Sequence, residues 1–147
     1  MKIFFNAFLF FISTMSFAEP VYLATYSEMI ASNNNKSPFS AKIAPVPGAP
    51  NIDLVAPKID GVINSPTPIK LRFEAKSPST IKPETFKIFY GSFQIDVTER
   101  LLGNARVESS GFNVQEAVLP KGNHKLTLNI QDSDGRVGQK TVEFEVK

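Results

Sequence analysis

From residue 52 onward, apolar and polar residues alternate with a period of two. Ile69, Leu71, Phe73 and Ala75 alternate with Lys70, Arg72, Glu74 and Lys76. Leu126, Leu128 and Ile130 alternate with Lys125, Thr127, Asn129 and Gln131, and Val142, Phe144 and Val146 with Thr141, Glu143 and Glu145. Successive side chains of a strand point to opposite faces, so each segment has one face for a core and one for water. That pattern belongs to antiparallel sheets packed face to face; the buried strands of α/β folds read as continuous apolar runs instead. Weaker strands are expected over residues 52–55, 85–90, 92–96, 105–108 and 112–118. Pro57, Gly61, Pro66, Gly91, Gly103, Gly111 and Gly122 fall between segments as turn residues. Asp134-Gly135 separates two of the strongest strands and suits a tight hairpin, because Gly tolerates positive φ. One short helix is expected, over residues 97–102. The pattern predicts an all-β fold, an antiparallel sandwich of about seven strands over residues 51–147.

Two other patterns precede that domain. Lys2 is followed by an apolar run over residues 3–12, broken only by Asn6, and then by Ser16-Phe17-Ala18. A positive start, an apolar centre and small residues before a cut make a secretory signal, with cleavage expected between Ala18 and Glu19. The alternative is an uncleaved anchor, but the stretch from 3 to 18 is shorter than the roughly 20 residues of a bilayer-spanning helix, so a cleaved signal is the preferred reading and no membrane span is expected after cleavage. Residues 19–50 form a different segment, an N-terminal arm and a Pro-rich linker. Val21, Tyr22, Leu23, Tyr26, Met29 and Ile30 could make a short helix or strand. Asn33-Asn34-Asn35-Lys36-Ser37-Pro38, Pro45, Pro47, Gly48 and Pro50 then predict an extended linker, since Pro locks φ and cannot donate to a ladder. The segment 21–30 reads either as an unstructured leftover or as a docking arm, and its density of apolar residues is the argument for an arm.

Composition narrows the chemistry. With 147 residues, 42% hydrophobic and 20% charged, the chain is one globular domain with attachments rather than a two-domain enzyme or a disordered polymer. No Cys means no disulfide, no thiolate metal site and no lipid borne on a thiol. Sixteen Lys and Arg against 14 Asp and Glu give no basic excess for nucleic acid. There is no Trp, and Tyr90 is the one Tyr of the 51–147 domain, so a stacking platform is missing. His124, the one His, has no nucleophile-elbow Ser and no second His beside it, and reads as structural. Asp132-Ser133-Asp134-Gly135 looks like the start of a calcium loop, with Asp53 and Asp60 as conceivable extra oxygens, but it lacks the later acids and reads better as a hairpin turn. If Phe86, Ile88 and Tyr90 face the core, Phe89 faces outward beside Lys87 and could join Phe93 in an apolar surface patch, unless a strand or the arm covers it. Lys70, Arg72, Lys76 and Lys87, interleaved with Glu74 and Glu84, read as one solvated face.

Four segments carry a family resemblance. Ser65-Pro66-Thr67-Pro68 opens the alternating run to Phe73, and Ile81-Lys82-Pro83-Glu84-Thr85 leads into Phe86-Lys87-Ile88. Leu119-Pro120-Lys121-Gly122-Asn123-His124 enters the strand to Ile130, and Asp132-Ser133-Asp134-Gly135 precedes Val142-Glu143-Phe144-Glu145-Val146. On these, residues 52–146 resemble the immunoglobulin-like domains of bacterial surface and periplasmic proteins. The resemblance implies an immunoglobulin-like sandwich and a structural turn role for His124; the scaffold itself serves adhesion, spacing, ligand binding and docking alike. A more distant likeness is to periplasmic copper-resistance sandwiches, whose closing hairpin carries Asp-Gly-His with the His on copper. Here the hairpin reads Asp134-Gly135-Arg136, the expected mature N-terminus is Glu19 rather than His, and a guanidinium has no lone pair for a metal. The combined expectation is an exported, periplasmic, non-enzymatic binding module with no cofactor and no catalytic residue. It would dock a protein partner of the cell envelope, or serve as an accessory subunit there. Its contacts would be Phe89, Phe93, Tyr22, Leu23, Tyr26, Met29 and Ile30, or a free sheet edge. The alternative is a small periplasmic metal or ligand carrier, with Asp132, Asp134 and His124 as its usable groups.

Overall fold

The computed structural model describes residues 20–35, 44–103 and 105–147. The signal sequence and the Lys36–Pro38 part of the linker lie outside these residues. The strictest alternation in the sequence becomes β3 (Thr67–Glu74), whose residues are buried and exposed in strict turn. It is flanked by β2 (Asn51–Ala56) and β6 (Gly111–Val118), and a two-residue β1 (Val21–Tyr22) completes a sheet of order β1-β6-β3-β2. The second sheet has the order β5-β4-β7-β8, from β4 (Ile81–Tyr90), β5 (Ile95–Asp96), β7 (Gly122–Asp132) and β8 (Val137–Val146). All neighbours are antiparallel except β1 and β6. In immunoglobulin lettering these are an A-B-E sheet, extended by β1, and a C′-C-F-G sheet. Their inner faces supply Ile69, Leu71, Phe73, Phe86, Ile88, Phe112, Leu126, Leu128, Ile130 and Val142, all buried. The rings of Phe73, Phe86 and Phe112 form a chain with centroids 5.5 and 5.8 Å apart. Each such buried side chain stabilises the sandwich by about 1.5–3 kcal/mol.

The strands differ from expectation at three places. Strand β4 begins at Ile81 rather than Thr85, because its register with β7 jumps between Lys82 and Lys87 and accommodates Pro83. Thr85 bridges that gap: its hydroxyl donates to the Lys82 carbonyl at 2.6 Å and accepts from the Gln131 amide at 2.9 Å. Residues 92–94 form a turn in which Gln94 has φ 53°, leaving only Ile95–Asp96 to pair. Residues 105–108 make one isolated bridge, Glu108 to Gly111, in place of a strand. The helix α2 (Thr98–Leu102) forms where expected, buried through Thr98 and Leu101. Lys87 lies on the second sheet paired with Asp96 at 3.1 Å, so it shares no face with Lys70 and Arg72 of β3.

Residues 20–35 are a fitted part of the sandwich. β1 runs parallel to β6, and the Leu23 amide extends the ladder to the Val118 carbonyl at 3.1 Å. Thr25 then caps α1 (Tyr26–Asn34) in a reciprocal box with Glu28, whose carboxylate also takes the Arg100 guanidinium at 2.9 Å. The helix is seated on two glycines. A Cβ on Gly91 (φ +70°) would lie 2.6 Å from Ser32 Oγ, and one on Gly122 (φ +133°) would lie 2.7 Å from Met29 Sδ. Ser32 is locked to Ser92 by two bonds of 2.9 Å, and Asn33 donates to the Asn123 carbonyl at 3.2 Å. Leu23 and Met29, expected to meet a partner, are instead 0% and 3% exposed within this chain's own core. Apolar residues so spaced satisfy a core as readily as a partner, and here the core takes them. Leu23→Ala should therefore cost about 2–5 kcal/mol in denaturant unfolding, whereas Tyr26→Ser, on the exposed side of α1, should change stability by no more than about 0.5 kcal/mol.

Candidate functional site

The sandwich has two poles. At one, the hairpin between β7 and β8, the β3–β4 loop and the segment before β2 converge. At the other lie α1, the β4–β5 turn, the β6–β7 turn, the β2–β3 loop and the end of β8. The candidate chemical groups divide between them.

At the hairpin pole, Asp132 and Asp134 do come together, around a guanidinium. Asp132 is fully buried, and its Oδ1 accepts the amides of Asp134 and Arg136 at 3.0 and 2.9 Å. Its Oδ2 takes Arg136 Nε at 2.8 Å, and Arg136 Nη2 reaches Asp134 Oδ2 at 2.8 Å. Ser79 of the β3–β4 loop donates to Asp134 at 2.7 Å and also contacts Arg136, while Gly48 leaves room for the same guanidinium. Burial works against ionisation of Asp132, but the Arg136 amide, the guanidinium and the Asp134 amide outweigh it and hold the carboxyl below the usual range. Asp53 is engaged elsewhere, with Arg72 at 2.9 Å, and Asp60 belongs to the opposite pole. Asp132 and Asp134 thus belong to an arginine-clasped turn that ties the hairpin, a neighbouring loop and the segment before β2. Among the described residues no cluster of three or more His, Cys, Asp or Glu is placed to hold a metal.

At the other pole, His124 begins β7 with both ring nitrogens committed. Nε2–H donates to the Pro120 carbonyl and Nδ1 accepts from the Tyr90 hydroxyl, each at 2.7 Å. A carbonyl can only accept, so the neutral tautomer with the proton on Nε2 is assigned. The ring stacks on Phe144 with centroids 5.6 Å apart. A side chain at the start of strand F that bonds back across the E–F turn is the place of the tyrosine corner in immunoglobulin folds. Burial pulls the imidazole below its usual 6.5, with the Pro120 bond acting the other way. Burial and the nearby Glu28 charge push the Tyr90 hydroxyl up to about 12. Sequence reasoning missed Tyr90, Pro120, Ser79 and Arg136 as partners. Arg136 and Pro120, each four residues from its partner, were local; Tyr90 and Ser79 come from other strands and loops.

The surface residues divide as follows. Phe89 is half-buried on the outer face of β4, between Asp96 of β5 and Thr127 of β7. Phe93, Tyr22, Tyr26 and Ile30 are exposed. An open groove of about 760 Å³ runs between the end of α1 and the β7–β8 pair, lined by Asn33, Asn123, Lys125, Glu143 and Phe144 among others. Strand β8 is the outer strand of its sheet.

No family model matches the chain, and no curated protein matches it. Among solved structures, CopC from Methylosinus trichosporium OB3b is similar over 58% of this chain and 80% of that one, at 22% identity and a TM-score of 0.40. At that level the likeness leaves function to be argued from this chain's own residues.

Two outcomes follow from the engaged groups. The unfolded chain protonates its His near pH 6.5 while the folded chain resists, so stability should be full above that pH and fall as pH drops below it. His124→Phe should flatten that part of a pH series of urea midpoints. Arg136→Met should lower Tm well beyond Asp134→Asn, because it strips the buried Asp132 of its cation.

Proposed function

We propose that the chain is an exported, non-enzymatic sandwich that works by holding an extended segment of a protein partner in the cell envelope, as an accessory subunit there. The observation that carries this reading is the outward edge of β8. That edge already accepts chain: Ile63 forms a parallel bridge with Val146, and the Lys147 amide donates to the Ile63 carbonyl at 3.0 Å. Register with β7 is unbroken from Val137 to Val146, and backbone groups alternate between the two edges of a strand. The outward groups therefore belong to Gln139, Thr141, Glu143 and Glu145. Pro50 covers the strand at Gly138 and the Ile63 bridge takes its far end, but from Gln139 to Glu143 the outward edge carries no backbone bond among the described residues. An added strand would gain main-chain bonds there, and Glu143 and Glu145 would favour a partner with basic residues.

Export rests on the sequence pattern of residues 2–18; among the described residues no helix is long and apolar enough to cross a membrane. The alternative, a small metal or ligand carrier, would draw on Asp132, Asp134 and His124. Each of these is already bonded within the fold. The test is recovery of the tagged full-length protein from its native envelope, beside the Thr141→Pro variant. The proline removes one outward amide that β7 does not use, so Tm should stay within a few degrees of wild type while the partner is lost. Recovery of the same partner by the variant overturns the edge reading. Adding copper or calcium ions to the purified protein should leave Tm in place; a rise of several degrees would move the function to the carrier.

A further inference from the structure

We propose that the Tyr90–His124 hydrogen bond is an acid-sensitive latch, which seats the N-terminal arm at neutral pH and releases it when His124 takes up a proton. The bond lies between the two turns that carry α1. Gly91 and Ser92 directly follow Tyr90, and Gly122 and Asn123 directly precede His124. Those four residues are the seat of the helix. Gly91 and Ser92 meet Ser32, Gly122 meets Met29, and the Asn123 carbonyl accepts from Asn33. The 2.7 Å bond from Tyr90 to His124 therefore ties the β4–β5 turn to the β6–β7 turn beneath the arm. A nine-residue helix is too short to persist by itself in water, so α1 stays folded only while that seat keeps its shape.

The geometry accommodates one protonation state. Nε2–H donates to the Pro120 carbonyl, and Nδ1 accepts from the Tyr90 hydroxyl. A second proton turns Nδ1 into a donor, so the hydroxyl must point its own proton elsewhere, and among the described residues it has no other hydrogen-bond partner. Tyr90 and His124 are 1% and 3% exposed, so neither the orphaned hydroxyl nor the imidazolium meets water in place. The charged groups around the pair do not offset that cost. The charge of Glu28 on α1 reaches the Tyr90 hydroxyl, but its carboxylate already holds the Thr25 amide and Arg100 of α2. A hydroxyl turned toward it would compete with the cap that begins the helix. Lys125 of β7 and Glu143 of β8 pair with each other at 3.3 Å, and Lys121, Glu145 and Lys147 are exposed to solvent. His124 also helps to line the open groove beside α1, so the water that a charged ring demands enters next to the helix. Release uncovers Leu23 and Met29. The latch concerns the seat of α1 and is independent of strand capture at the β8 edge.

His124 is the one His of the chain, and imidazole is the side chain that ordinarily titrates in mildly acid solution. Burial works against ionisation of Glu28, but the Thr25 amide and Arg100 outweigh it and hold its carboxyl below the usual range, so Glu28 stays charged there. The chain has no Cys, so one introduced Cys is a clean reporter. Ala24→Cys would report on the arm and Val142→Cys on the core, both in the full-length chain. Each is read as the rate of reaction with 4,4′-dithiodipyridine relative to the same chain unfolded in urea at the same pH. From about pH 7.5 to about pH 5 the relative rate at position 24 should rise about tenfold while that at position 142 stays put. An equal rise at both positions, which would mean that the whole sandwich opens, overturns the proposal. So does no rise at position 24. His124→Gln cannot titrate, and adding it to the Ala24→Cys chain should remove the pH response; a response that survives it points to another group and overturns the latch. If that variant fails to fold, Tyr90→Phe cuts the same bond from the other side. Position 24 should then react quickly already at neutral pH with position 142 still protected, and slow reaction at position 24 sinks the proposal.

Discussion

Everything in this molecule depends on the packing of one inner face against another: Leu71 and Phe73 of β3 set against Phe86, Ile88 and Leu128 of the facing sheet. Once two alternating sheets are pressed together, water leaves their interface, and every polar group caught near it must find a partner inside the protein. Among the described residues no buried side-chain nitrogen or oxygen is left without one. That constraint explains why the groups that look reactive in the sequence are quiet in the fold. His124 spends one nitrogen on Pro120 and the other on Tyr90. Asp132 spends both oxygens on the Asp134 and Arg136 amides and the Arg136 side chain. Catalysis and metal binding need a lone pair or an acidic proton held ready for a ligand, and these residues hold theirs for backbone and side-chain partners within the fold.

The same constraint accounts for the arm. A sandwich closed only by its sheets would leave the ends of its core open to water at the poles. Leu23, Ala24 and Met29 fill the open end beside β6 and β7, and Gly91 and Gly122 allow the helix to approach closely enough to do so. Arg100, Ser92 and Asn123 then hold the helix by its polar side. What remains outward on the arm is Tyr22, Tyr26 and Ile30. The division between core and surface runs through the middle of a segment that, read as a string, looked uniformly apolar.

How far the fold was legible follows from the range of each interaction. Period two is local, so β3, β7 and β8 could be read residue by residue, as could the hairpin at Gly135 and the short α2. The extension of β4 back to Ile81 was not legible, because it depends on Thr85 mending a broken ladder with Gln131, 46 residues away. The seat of α1 pairs Met29 with Gly122, a contact that has no signature in either neighbourhood. The clasp around Asp132 and Asp134 was legible only in part for a related reason: Arg136 was visible, but Ser79, which completes the clasp, comes from another loop. The candidate contact surface was least legible of all. An open strand edge is a property of sheet order.

Strand β8 runs from one pole to the other, with Val137 at the hairpin end and Val146 beside Ile63 at the α1 end. A partner strand could add along that flank with its main-chain bonds formed in water, where the edge costs nothing to leave unpaired until the partner arrives. The α1 pole offers no such row of backbone groups, so hydrogen-bond geometry assigns chain capture to the edge rather than to the pole.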